Sequence, residues 1–159
     1  MKTFDELYES VNVNETPEKF RHFKDEIISL LLPVLQKLCQ LENEISNSGM
    51  NTGTSADLWK EYRRSYAEAI HPIGTESLLK QRGIAGAIST PARYDYPNMH
   101  CKKISFIMKS PNKAIVEIHY KHGSDKADQF IFVTTEEGWK LNEKKQSFSK
   151  SGTWHKDII

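Results

Sequence analysis

Cysteine is scarce in this sequence: Cys39 and Cys101 are the only two in 159 residues. One falls in a helical pattern and the other at the start of a strand pattern. In the reducing compartment expected below, two cysteines do not make a disulfide framework, and both read as packed or half-exposed thiols, not nucleophiles. An excess of one charge is also missing, since 22 lysines and arginines face 21 aspartates and glutamates. No overall field draws the chain onto nucleic acid or a membrane surface, although local patches remain open. Long apolar runs are absent too. The longest, Ile27 to Leu35, is broken by Ser29 and Pro33 and falls well short of the ~20 residues of a membrane span. The start, Met1-Lys2-Thr3-Phe4-Asp5-Glu6, turns acidic at once, unlike an export signal. The expectation is a cytoplasmic protein that engages neither nucleic acid nor membrane. No glycine-rich phosphate loop follows a strand pattern and no Gly-x-Ser-x-Gly elbow occurs, which removes support for nucleotide-dependent and serine-hydrolase chemistry.

What is present describes one globular domain over 1–159, with 38% apolar and 27% charged residues and no repeat. The front half reads helical. Thr16-Pro17 is a helix start signal, the hydroxyl capping free amides and proline suiting the first helical position. Phe20, Phe23, Ile27, Leu30, Leu31, Val34, Leu38, Leu41 and Ile45 then recur at three- and four-residue steps, one long buried stripe. Pro33 lies inside it and removes the amide that would bond the Ser29 carbonyl, so a kink or break is expected there. Residues 46–54 read as a polar linker. Thr54-Ser55-Ala56-Asp57 resembles a capping box opening a second helix, whose face carries Leu58, Trp59, Tyr62, Tyr66, Ala69 and Ile70. A short third helix, Thr75 to Arg82, is expected to end at Gly83.

After Ile88 the period becomes two. Ile104, Phe106 and Met108 alternate with polar neighbours, as do Ala114, Val116, Ile118 and Tyr120, and Ser110-Pro111-Asn112-Lys113 between them suits a hairpin turn. Phe130 to Val133 is apolar on both faces, like a central strand, and Glu136-Glu137-Gly138 turns the chain into Trp139-Lys140-Leu141. Helices followed by a four-strand antiparallel meander make an α+β protein, with three N-terminal helices against one face of a sheet that curls over them.

The segments Ser89-Thr90-Pro91-Ala92-Arg93-Tyr94-Asp95-Tyr96-Pro97, Glu137-Gly138-Trp139-Lys140-Leu141 and Gly152-Thr153-Trp154, in this order and over roughly residues 85–159, resemble three motifs of bacterial immunity proteins. Those proteins have the nuclear transport factor 2-like fold, a cone in which helices lie in the concavity of a strongly bent sheet. The resemblance implies a non-catalytic protein that binds and neutralises a cognate polymorphic toxin, with no cofactor and no metal. Arg93, Tyr94, Asp95, Lys140 and Trp154 are the candidate partner-binding residues. The same fold hosts enzymes and carriers, so a small-molecule isomerase- or cyclase-like protein using the cone pocket is the alternative, and a homodimer paired through the exposed sheet is a third reading.

For catalysis the residues to weigh are Tyr94, Asp95, Glu117 and His119. Glu117 and His119 lie opposite Val116 and Ile118 on a strand and therefore face solvent, and Asp95 between two tyrosines and ahead of a proline suits a turn. No catalytic residue is assigned. His119 and His122 point to opposite faces of a strand, and His100 and Cys101 point apart, so no metal site is assigned either. Two basic clusters, Lys60 with Arg63 and Arg64, and Lys140 with Lys144 and Lys145, read as solvated faces suited to an acidic toxin surface.

Overall fold

The computed structural model describes residues 3–48, 55–85, 88–89, 91–148 and 152–159. Four α-helices and a five-stranded antiparallel sheet are arranged as an α+β domain: α1 (Phe4–Glu9), a 3₁₀ turn (Glu18–Phe23), α2 (Lys24–Asn47), α3 (Ser55–Ile70), α4 (Glu76–Leu79), a second 3₁₀ turn (Tyr96–Asn98), then β1 (Lys103–Ser110), β2 (Lys113–His122), β3 (Ser124–Thr135), β4 (Gly138–Phe148) and β5 (His155–Asp157). Among the described residues the expected three helices thus become four. The additional one, α1, is a short capping-box helix: Glu6 N–H donates to Thr3 Oγ1 at 3.2 Å and Thr3 N–H to Glu6 Oε2 at 3.1 Å. A single buried side chain, Leu7, ties it to the core.

Thr16 does not cap a helix. Its hydroxyl donates to the Phe106 carbonyl at 2.7 Å and accepts from Met108 N–H at 3.0 Å. With Asn12 bonded to the backbone of Ile104 and Phe106, this segment covers the outer edge of β1, where unpaired backbone groups invite aggregation. Pro17 is the residue before the 3₁₀ turn and not the first residue of a long helix. The expected interruption at Pro33 does not take the form of a break, since α2 runs through it. Pro33 and Ser29 both lie on the exposed side, where the carbonyl that proline leaves without an amide is open to solvent. The buried face of α2 turns slightly from the expected stripe, toward Ile28, Leu32 and Leu35, and Leu30 and Val34 are only half buried.

α2 continues to Asn47, into the segment read as a linker; residues 49–54, with Thr54 of the proposed capping box, lie outside the described residues. α4 is shorter than expected, ending at Leu79. Gly83 has φ +90° but stands beyond the helix end and does not cap it.

The strands lie in the order β1-β2-β3-β4-β5, all antiparallel, with β3 central as its two-sided apolar pattern requires. The Pro111-Asn112 turn closes the first hairpin, Ser110 facing Lys113. Gly138, at φ +103°, begins β4 in a conformation that a side chain disfavours. A bulge opposite Ile131 and Phe132 adds Asn142 to β4, and Asn142 Oδ1 accepts from the Thr75 hydroxyl at 3.0 Å. The outer edge of β4 is covered in two pieces, by β5 and by the Ile73–Thr75 segment, where Thr75 N–H bonds the Leu141 carbonyl and Leu141 N–H the Ile73 carbonyl.

One face of the sheet contributes Ile104, Phe106, Val116, Ile118, Phe130, Phe132 and Leu141 to a single apolar core with Ile27, Leu31, Leu35 and Leu38 of α2 and Tyr66 and Ile70 of α3. Trp139 joins them, its ring edge-on to Phe23 at 5.8 Å. No helix among the described residues is long and apolar enough to cross a membrane.

Candidate functional site

Two polar clusters interrupt this apolar interior. The first is built on Glu42, a carboxylate on the buried face of α2 that is 2% exposed. It accepts from Arg93 twice, from the backbone N–H at 2.5 Å and from Nε at 2.9 Å. The far guanidinium nitrogen donates to the Tyr66 hydroxyl at 3.0 Å, and the guanidinium carbon lies 5.6 Å from the Tyr66 ring and 5.7 Å from the Tyr94 ring. Burial opposes the charge on Arg93, yet the neighbouring Tyr66 and Tyr94 hydroxyls and the Glu42 carboxylate hold it above its ordinary pKa. Nearby Cys39 is pushed up to about 12, by burial first and then by the charges of Asp95 and Glu42. A thiol in that field is inert.

The second cluster centres on Asp128, which points inward from β3 and is 1% exposed. Tyr96 donates its hydroxyl to Oδ2 at 2.6 Å, while Tyr120 and the Gln146 amide donate to Oδ1 at 3.1 and 2.9 Å. Burial and then the Asp128 charge raise both tyrosines well above the ordinary phenol range, so each remains a proton donor. Beside them Lys144 bonds Asp157 of β5 at 2.5 Å and sits 5.0 Å from the Tyr94 ring. Arg93, Tyr120, His122, Lys126, Asp128 and Lys144 border a cavity of about 270 Å³ at this end of the domain.

The five candidate binding residues do not form one site. Arg93 and Tyr94 belong to the interior clusters, and Tyr94 is 2% exposed. Asp95 is buried as well and shapes the turn before β1, its carboxylate accepting from Asn98 Nδ2 at 2.7 Å and its carbonyl from Asn98 N–H at 2.9 Å. Lys140 lies toward the other end of β4, where it donates to the Pro72 carbonyl at 2.8 Å and borders a cleft of about 730 Å³ against α4. Trp154 borders a cavity with Ala127 and Ser147 on the sheet face turned away from the helices. Thr90, within the first motif, lies outside the described residues.

Glu117 and His119 do share that outer face, with His119 Nε2 and Glu117 Oε1 at 2.6 Å and Gln129 donating to the other Glu117 oxygen at 2.9 Å. The first basic cluster is the solvated helix face expected, with Lys60, Arg63 and Arg64 all exposed, whereas the second is not. Arg64 pairs with Glu61 and Glu68, and Lys144 is buried, separated by strand alternation from Lys145 on the outer face.

The residues that sequence reasoning missed are Glu42, Asp128 and Gln146. Each carries a faint signal: Glu42 interrupts the helical stripe between Leu41 and Ile45, and Asp128 keeps the inward parity of Phe130 and Phe132. A charge at a core position demands a partner, but the partners, Arg93 and Tyr96, are 51 and 32 residues away in the chain. Among the described residues no group of three or more histidines, cysteines or carboxylates is placed to hold a metal ion. No protein-family model, curated protein or solved structure matches the chain.

Proposed function

We propose that the chain is a non-catalytic binding protein of the nuclear transport factor 2-like cone architecture, and that it neutralises a cognate toxin domain. The observation that carries this reading is the commitment of the interior polar groups. Both Glu42 oxygens accept from Arg93, and both Asp128 oxygens accept from Tyr96, Tyr120 and Gln146. A general base needs a lone pair aimed at substrate; here the buried carboxylates are spent on holding α2, the 91–98 segment and the sheet in one arrangement. Such a scaffold suits recognition by a preformed surface, because little ordering entropy is lost on binding.

The first motif of the resemblance, through Arg93, Tyr94 and Tyr96, supplies much of this locking. In the proposal these side chains and Asp95 hold the scaffold, and Trp154 and Lys140, both half exposed, belong to surfaces a partner reaches. The test is co-expression with a toxic C-terminal domain encoded by a neighbouring gene: growth should be restored and a stable complex recovered. Absence of both with every neighbouring toxic domain would overturn the reading. The roughly 270 Å³ cavity beside Asp128 and Tyr120 favours the second reading, a small-molecule carrier or enzyme. Turnover or tight binding of a small ligand that is lost in Asp128→Asn, with that variant still folded by circular dichroism, would establish it.

A further inference from the structure

The outer face of the sheet, away from the helices, carries an uneven charge. Cross-strand rows run Lys103–His119–Ala127–Ser147 and Ser105–Glu117–Gln129–Lys145, with Lys156 of β5 paired beside Lys145 and Lys121 opposite Asp125. Lys103, Lys121, Lys145 and Lys156 make no ion pair among the described residues. The carboxylates on these rows are engaged, Asp125 with Lys102 at 2.6 Å and Glu117 with His119 and Gln129. In a chain of formal net charge +1, lysines concentrated here leave the rest of the molecule net acidic.

A slot lies within this patch. The Gly152–Trp154 segment shares a cavity with Ala127 and Ser147, which are only 6% and 8% exposed although they lie on the outer face. Between segment and sheet is a cavity of about 390 Å³, floored by Ala127 and Ser147, walled by Trp154 and His119 and rimmed by the Lys102–Asp125 pair and Lys126; Lys103 and Lys145 stand next to His119 and Ser147 on the same face. The Gln129–Glu117–His119 chain fixes the imidazole at its rim.

We infer that this face docks an acidic segment of a protein partner, an apolar side chain of that segment entering the slot against Trp154. The inference rests on the binding reading above and names the surface and chemistry it uses. Unneutralised lysines steer and register an acidic partner, and a small-floored slot with an indole wall is the kind of pocket in which interface anchors concentrate binding energy. An indole among lysines also suits stacked bases. One cavity with a single indole wall favours one anchored side chain over a run of stacked bases, which needs successive aromatic platforms.

The test is fluorescence anisotropy of a labelled peptide, a phenylalanine flanked by glutamates, against the full chain. Saturable binding should weaken about tenfold from low to high salt, and about tenfold in each of Trp154→Ala and Lys103→Glu/Lys145→Glu. Lys37→Glu/Lys60→Glu, the same double charge reversal on exposed helix surface, should leave it unchanged. The lysine variants keep the test decisive if Trp154→Ala does not fold. No binding, binding indifferent to these variants, or tighter binding of single-stranded oligothymidine than of the peptide would overturn the inference. A toxin neutralised equally well by the lysine variants would overturn this surface and leave the toxin reading intact. Peptide binding with these dependences in a chain that neutralises no toxin would support the surface alone.

Discussion

Breaking the Glu42–Arg93 pair from its two sides should cost different amounts, because the partners differ in their access to water. The Glu42 side chain is 3% exposed and that of Arg93 is 23% exposed. Arg93→Met leaves a carboxylate with one backbone N–H donor and almost no solvent, close to the case of an uncompensated buried charge, for which about 3–5 kcal/mol is typical. Glu42→Gln keeps an acceptor for Arg93 N–H, turns an amide donor toward Nε, and leaves a guanidinium that water partly reaches; about 2 kcal/mol follows from the loss of one charged hydrogen bond. Removing both, as Glu42→Leu/Arg93→Met, should cost at least about 1 kcal/mol less than the sum of its two single changes, since no charge remains buried. Urea unfolding followed by circular dichroism measures all of these. Equal costs for Arg93→Met and Glu42→Gln, or strict additivity in the double variant, would refute the assignment of Glu42 as the less hydrated partner of a coupled pair.

Asp128→Asn leaves a single acceptor oxygen for three donors and should destabilise by about 2 kcal/mol, more than Tyr120→Phe, in the same unfolding assay. Thr16→Val should cost about 1–3 kcal/mol by orphaning Met108 N–H and the Phe106 carbonyl, whereas Thr16→Ser should be nearly neutral. In native protein at mildly alkaline pH, Cys101 should react with a thiol reagent well before Cys39, which is buried and has its thiol pushed up to about 12; simultaneous reaction, followed by mass spectrometry, would contradict that. Tyr62, Tyr66, Tyr94, Tyr96 and Tyr120 are all raised, chiefly by burial. The unfolded chain therefore releases these protons first: their contribution is intact below about pH 10 and lost above it. Phenolate absorbance should rise together with unfolding, and a rise in the folded protein from these residues would disprove their burial.

Much of the architecture was legible because it rests on local periodicity. The stripe of α2, the aromatic face of α3 and the alternation of β1 and β2 each need only neighbouring residues to be read. Thr16 was misread for the same reason: threonine before proline satisfies a local capping rule, and only the arrival of β1 offers its hydroxyl a better pair of partners. Pro33 does not end α2 because the hydrogen bond it removes lies on the exposed side of the helix. The short α1 and β5 carry too few residues to show a period; α1 holds through its capping box and Leu7, β5 through Lys144–Gln146.

By itself the sequence determined the order of the longer helices and strands, the antiparallel hairpins and the apolar residues available for a core, all properties of residues close together in the chain. Tertiary structure decided the rest: that Glu42 meets Arg93, that Asp128 gathers Tyr96, Tyr120 and Gln146, and that Trp154 roofs a slot among lysines. Those arrangements join groups far apart in sequence, and a buried charge or an exposed lysine acquires its meaning only from the dielectric and the partners that folding places around it.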